Sequence, residues 1–269
     1  MIHLKNIPLP AQAQEKLNEY QKEVEKELDY AKQVSAAKRL FTLRNTHKNK
    51  TFQTVRATLD KMCSGARRCC YCEDSCADEV EHIRPKDIYP ELVFAWQNYL
   101  YACGTCNVPK GKKIAVIESK TGHFVNVARR KNDPIVPPLQ GISVLIDPRS
   151  ENPLDYMALD LLDTFMFVPT ADNDTQAYRR ANYTIKVLRL NSREVLIKAR
   201  RNAFDSYKAR LYEYQKKQTN GATCQALKYL TKSLQEMLHP TVWIEMKRQH
   251  RFHNELNKLF QEIPEALEW

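Results

Sequence analysis

Nowhere in its 269 residues does the chain hold an apolar run of the roughly 18 residues that a membrane helix needs. Its opening residues, Met1-Ile2-His3-Leu4-Lys5, lack the apolar stretch of a signal peptide. No membrane contact and a cytoplasmic location are therefore expected. Cysteine is sparse: eight residues are too few for a disulfide scaffold at this length. Without a secretory signal, paired cysteines point to metal binding in a reducing compartment. No internal repeat recurs at a fixed period, which argues against a solenoid. Disorder is equally disfavoured, because 43% hydrophobic and 9% aromatic residues suffice to build a core in one or two domains.

What is present is concentrated between Cys69 and Lys113. Two C-x-x-C steps, Cys69 with Cys72 and Cys103 with Cys106, enclose Glu81-His82-Ile83-Arg84-Pro85-Lys86 and Trp96-Gln97-Asn98. The second step runs on into Asn107, Lys110, Lys112 and Lys113. Four thiolates suit a closed, tetrahedral structural zinc. Cys70 and Cys76 also offer spacings to a ligand, but the two-residue step matches the second pair, so both are expected to be bystanders. Cys63 and Cys224 are expected to be ordinary buried thiols. A ribbon that only binds needs no acid, His and Asn at fixed places beside its knuckles.

This pattern resembles the HNH nucleases of the ββα-metal type. The resemblance implies that His82 is the general base that deprotonates the attacking water. Glu81 and Asn107 would hold one Mg²⁺ or Mn²⁺ at the scissile phosphate, and Asn98 would hold either the loop or the imidazole orientation. Lys110, Lys112 and Lys113 are expected to contact substrate phosphates. The chemistry agrees: a neutral imidazole accepts a proton at physiological pH. A carboxylate and an amide carbonyl are hard ligands suited to Mg²⁺, unlike the thiolates of the zinc site. Leu145-Ile146-Asp147-Pro148-Arg149 and Asn152-Pro153 extend the likeness to HNH subunits of Septu-type and retron-linked anti-phage systems. In those systems an ABC-type ATPase accompanies the nuclease, so a hetero-oligomer is implied.

The remaining periodicity predicts a mainly α protein, α+β overall, with a small inserted ββα zinc module. Residues 1–62 form a helical segment, 63–125 the module and 126–269 a largely helical scaffold. One helix is expected from Ala11 to Arg44, with Leu17, Tyr20, Val24, Leu28 and Ala31 on its apolar face, and a second from Phe52 to Met62. Short strands are expected at Val80–Arg84, Asn98–Ala102, Val144–Asp147 and Thr164–Val168, and a short helix after Cys103. Ser192 is the expected N-cap of a helix carrying Leu196, Ala203, Tyr207 and Leu211. Trp96 and Phe94 are assigned to the core.

The formal charge is +10, and twelve Lys/Arg against three acidic residues lie between Gln176 and Lys217. Clustered cations beside a candidate phosphodiesterase site suggest a polyanionic partner. For the nuclease reading that partner is taken as nucleic acid, with DNA favoured and RNA possible. A solvated helix face or a protein-docking face are the competing readings of that run. A zinc-stapled module that binds nucleic acid without cutting it is the alternative function.

Overall fold

The computed structural model describes residues 1–269. It is mainly helical, with nine α-helices and three small sheets, and thus α+β. The helices are α1 (Ala11–Glu25), α2 (Tyr30–Arg44), α3 (Lys50–Asp60), α4 (Gly104–Lys110), α5 (Gln176–Val187), α6 (Glu194–Thr219), α7 (Cys224–Gln235), α8 (Pro240–Gln249) and α9 (Asn254–Glu262). The strands are β1 (Glu79–His82), β2 (Tyr99–Ala102), β3 (Ala115–Glu118), β4 (Phe124–Asn126), β5 (Gly141–Ser143), β6 (Met157–Leu159) and β7 (Phe167–Pro169). Sheet order is β1-β2, β4-β3-β5 and β6-β7, and every pairing is antiparallel.

The expected long first helix is two helices. The Asp29 carboxylate accepts from the Lys32 amide at 2.9 Å and so caps a new start for α2. Leu28, placed on the apolar stripe by its spacing, falls in the break and is 99% exposed. The fold-back lets α1 pack on both α2 and α3, with α3 against β2. Asn49 caps α3 in the same way, accepting from the Phe52 amide.

The central ββα unit follows the expected order. β1 pairs with β2 in the register Glu79–Ala102, Glu81–Leu100 and His82–Tyr99, and α4 packs on β1. Farther on, the expected strand at Val144–Asp147 is displaced: the strand paired with β3 is Gly141–Ser143, just before it, and Val144 adds one bond, donating to the Ala115 carbonyl at 2.9 Å. Gly141 is required there, because a Cβ would stand 2.2 Å from the Ile117 carbonyl oxygen. The resulting sheet joins β3 and β4 to β5, and so crosses the expected module boundary after residue 125. The strand expected at Thr164–Val168 forms as Phe167–Pro169. Helix α6 begins after Arg193, and Ser192 makes no cap.

One hydrophobic cluster of 63 buried residues runs from Met1 to Ala266 and so draws on all three regions of the chain. Trp96 and Phe94 lie in it, as expected, with Phe52 and Tyr99. Full burial of a Phe side chain such as Phe52 or Phe94 contributes about 1.5–3 kcal/mol. No helix is long and apolar enough to cross a membrane.

Candidate metal centre and cleft

The four paired cysteines converge. The Sγ atoms of Cys69, Cys72, Cys103 and Cys106 all lie within 4.8 Å of one another, and all four residues are buried. Cys72 and Cys103 sulfurs stand 3.9 Å apart. Tetrahedral zinc with bonds of about 2.3 Å places its sulfurs roughly 3.8 Å apart, so the donor set and spacing fit that ion. Cys70 lies outside the cluster, 4.0 Å from Cys63, and Cys76 is exposed beside Arg67. Cys63 is half-buried and Cys224 is exposed, so neither is the buried thiol expected. A terminal position on an open helix face explains Cys224.

Beside the cluster lies a cavity of about 420 Å³, lined among others by Glu79, Glu81, His82, Lys86 and Asn107. His82 ends β1 with its ring edge-on to Phe41 of α2, centroids 4.4 Å apart. Its Nε2 sits 2.9 Å from the Val93 carbonyl oxygen. A carbonyl only accepts, so Nε2 carries the proton and Nδ1 holds a free lone pair. Burial first, then the Lys86 ammonium, lowers the imidazole pKa to about 3, against the opposing pull of the Val93 carbonyl. The ring is neutral at physiological pH.

Asn98 acts on the loop and not on the ring. Its Oδ1 accepts from the Arg84 amide at 2.8 Å, and its Nδ2 donates to the carbonyls of Arg84 and Leu92, each at 3.0 Å. One buried amide thereby ties both ends of the loop that delivers Val93 to His82. The N-terminal helices hold the same loop: Gln21 accepts from the Phe94 amide, and Tyr30 donates to the Ile88 carbonyl. Arg149 completes the frame. It donates to the carbonyls of Trp96 and Tyr99 and lies over the Trp96 ring, 4.6 Å from its centroid. The Asp-Pro-Arg phrase is thus a brace for the cleft.

Glu81 and Asn107 both line the cavity but do not touch. Glu81 is buried and ion-paired with Lys110, Nζ to Oε1 2.5 Å. Burial pushes its carboxyl above the ordinary range, against the pull of Lys110. Asn107 donates Nδ2 to Glu79 Oε2 at 2.6 Å. Lys110 is fully buried and also donates to the His82 carbonyl at 2.7 Å, so the phosphate contact expected of it is replaced by an internal one. The reason is helical geometry: one turn beyond Cys106, its side chain points down onto β1. Lys112 and Lys113 are exposed, and Lys112 lines the cavity mouth, 3.7 Å from Asp87.

Glu79 and Lys86 went unassigned in the sequence. Lys86 is half-buried, has no ion-pair partner and lies over the Phe41 ring at 5.1 Å. Burial lowers its pKa, with Asp87 and Glu81 opposing. Strand periodicity alone places Glu79 on the face of Glu81 and was the available signal. Nothing local marks Lys86, because only the fold brings α2 over it.

Part of the basic run from Gln176 is engaged within the protein, while Arg179, Lys186, Arg189, Lys198, Arg201 and Lys216 are exposed. Arg180 pairs with Glu151, Arg200 is buried against the carbonyls of Phe165 and Leu190, and Arg193 donates to Cys106 Sγ at 3.2 Å. Lys208 pairs with Glu255, and Lys217 with Glu213.

By fold and donor set, this is a mainly helical protein built round a cysteine-stapled ββα unit with an acid, an imidazole and an amide in one cleft. No family model matches the chain. Over 49 residues it is 49% identical to the Septu protein PtuB of Bacillus thuringiensis, a stretch covering 16% of this chain and 19% of that protein. The chain thus spans about a fifth of the curated relative it matches. The likeness supports a link to Septu-type proteins.

Proposed function

We propose that the protein is a divalent-cation-dependent endonuclease of the HNH type, acting on nucleic acid, with DNA favoured over RNA. The observation that carries this reading is the tautomer of His82, whose Nε2 proton is spent on the Val93 carbonyl. The free Nδ1 is left in the cavity that holds Glu81 and Asn107. There Nδ1 takes a proton from water, whose oxygen attacks phosphorus as the bond to the leaving oxygen breaks.

Glu81 and Asn107 fit a Mg²⁺ or Mn²⁺ ion, because the Glu81 carboxylate and an Asn107 Oδ1 with no protein donor share the cavity. When bound, such an ion neutralises charge developing on the phosphate. Lys110 keeps Glu81 paired and lends the site a fixed positive charge. Lys86 and Lys112 take the phosphate contacts at the mouth.

The likeness to a Septu protein supports a role in anti-phage defence, with an ABC-type ATPase as partner and the helical remainder as its docking scaffold. The test is cleavage of labelled duplex DNA, single-stranded DNA and RNA with Mg²⁺ or Mn²⁺. It is run with and without any ATPase encoded nearby, and with His82→Ala as control. Products that His82→Ala abolishes, with zinc content and fold retained, are expected. Equal cutting by the variant would remove His82 from the mechanism. Salt-sensitive binding with no products under any partner condition would instead favour the binding module.

A further inference from the structure

The general base and the cation ligands do not exhaust the chemistry of the cleft. Asn107 carries an amide whose two ends are nearly the same size but opposite in hydrogen-bonding character. Only its oxygen is useful to a cation, so a rotation of half a turn about its last bond would present an NH₂ group and repel the ion. Something has to decide between the two orientations.

We infer that Glu79 is the positioning residue that makes this choice, holding the Asn107 amide so that Oδ1 is the atom offered to a divalent cation. The inference rests on the proposed nuclease site. The Glu79 carboxylate accepts from Asn107 Nδ2 at 2.6 Å, a short charge-assisted bond. A carboxylate has no donor at neutral pH, so it tolerates only the NH₂ end of the amide. Asn107 Oδ1 receives no protein hydrogen bond, which leaves its lone pairs free. Glu79, Glu81, His82 and Asn107 line one cavity, and the two-residue strand period puts both glutamates on the face toward α4.

A second observation concerns Gly104, at the start of α4. Its backbone has no left-handed φ to demand a glycine. What it lacks is a Cβ, which would stand 3.1 Å from Glu79 Oε1. The helix begins with the one residue that leaves the carboxylate room to reach Asn107. Outer partners of this kind orient metal ligands, and their loss typically costs about 10–100-fold in metal affinity.

The test measures Mn²⁺ binding by the electron paramagnetic resonance of free Mn²⁺, on the full-length zinc-loaded protein, alongside its cleavage activity. Zinc content and melting temperature serve as fold controls. Asn107→Ala is expected to weaken Mn²⁺ binding about tenfold or more, and Glu79→Ala to do the same. Glu79→Gln offers Asn107 a donor as well as an acceptor and no longer dictates which end of the amide faces the cation, so Mn²⁺ binding is expected to weaken several-fold, short of the loss in Glu79→Ala. Gly104→Ala, which crowds the carboxylate without removing it, is expected to fall between wild type and Glu79→Ala. Wild-type affinity in Glu79→Ala would overturn the inference. So would wild-type affinity in Glu79→Gln, since a side chain able to bond either end of the amide would then serve as well as one that accepts only. If Glu79→Ala loses zinc, the comparison of Glu79→Gln with wild type decides on the same terms. Wild-type protein with no Mn²⁺ site sensitive to Asn107→Ala would overturn the reading of the cleft itself, and this inference with it.

Discussion

The Arg193 guanidinium donates to the Cys106 sulfur across 3.2 Å, fastening the start of α6 to the thiol cluster of a module nearly ninety positions earlier in the chain. Arg193 also bonds back to the Leu188 carbonyl, so the whole elbow between α5 and α6 is held against the cluster. Four thiolates around a dication carry a net charge of about −2, and a guanidinium at one sulfur offsets part of it.

Removing that donor should loosen the metal without unfolding the protein. Arg193→Ala is expected to lower zinc affinity about tenfold, with Arg193→Lys recovering part of the loss. Competition with a chromophoric chelator reads this directly. An unchanged affinity in Arg193→Ala would show that the contact does not tune the metal.

The two classes of cysteine should separate cleanly. Cys72→Ala removes a ligand, so loss of stoichiometric zinc and unfolding of the ββα unit are expected, because metal binding and folding are coupled. Cys76→Ser, on an exposed thiol outside the cluster, should keep one zinc per chain and its melting temperature. Metal analysis with circular dichroism checks both.

Asn98 makes three hydrogen bonds across the cleft loop, all of them partly buried. Asn98→Ala leaves two carbonyls and one amide without their partner. A destabilisation of about 2–4 kcal/mol is expected in urea unfolding, at roughly 1 kcal/mol or more for each orphaned group. If the protein cuts, activity should fall further than stability alone explains, since Val93 would no longer be held against His82.

His82 has a pKa of about 3 in the folded protein, below its ordinary value near 6.5. Between those values the unfolded chain binds a proton that the folded chain refuses. Stability is therefore greatest above pH 6.5 and declines as pH falls through that window. Nuclear magnetic resonance should show no titration of the His82 ring from pH 8 to pH 5.5. Urea unfolding of His82→Ala should lose less stability than wild type between pH 6.5 and pH 5. A ring that titrates near 6.5 would show an open, solvated imidazole.

Much of the module was readable because its signals are local. C-x-x-C steps select the four ligands, since only two intervening residues turn the chain back onto one ion, and the structure gathers those four sulfurs. Strand alternation and the short helix after Cys103 depend on a few neighbouring residues, and both form. The errors came where a local preference met a distant partner or a competing cap. Leu28 has helical spacing, but Asp29 restarts the helix and leaves Leu28 in water. Val144–Asp147 has strand composition, yet the strand that pairs with β3 is the Gly141 segment, where a missing side chain permits the approach.

The charge pattern shows the same division. Arg180, Arg193 and Arg200 look like part of a basic face in one dimension, and each turns inward to a carboxylate, a sulfur or a carbonyl. Lys110 was expected at a phosphate and lies buried between Glu81 and the His82 carbonyl.

By itself, then, the sequence determined the thiol set, the ββα order, the helical majority and which residues carry candidate chemistry, because short spacings and side-chain types settle these. Only the tertiary structure decided which nitrogen of His82 is free, which partner orients Asn107 and which cations reach solvent. Those properties depend on groups brought together from far along the chain, and burial there alters what each group can donate, accept or ionise.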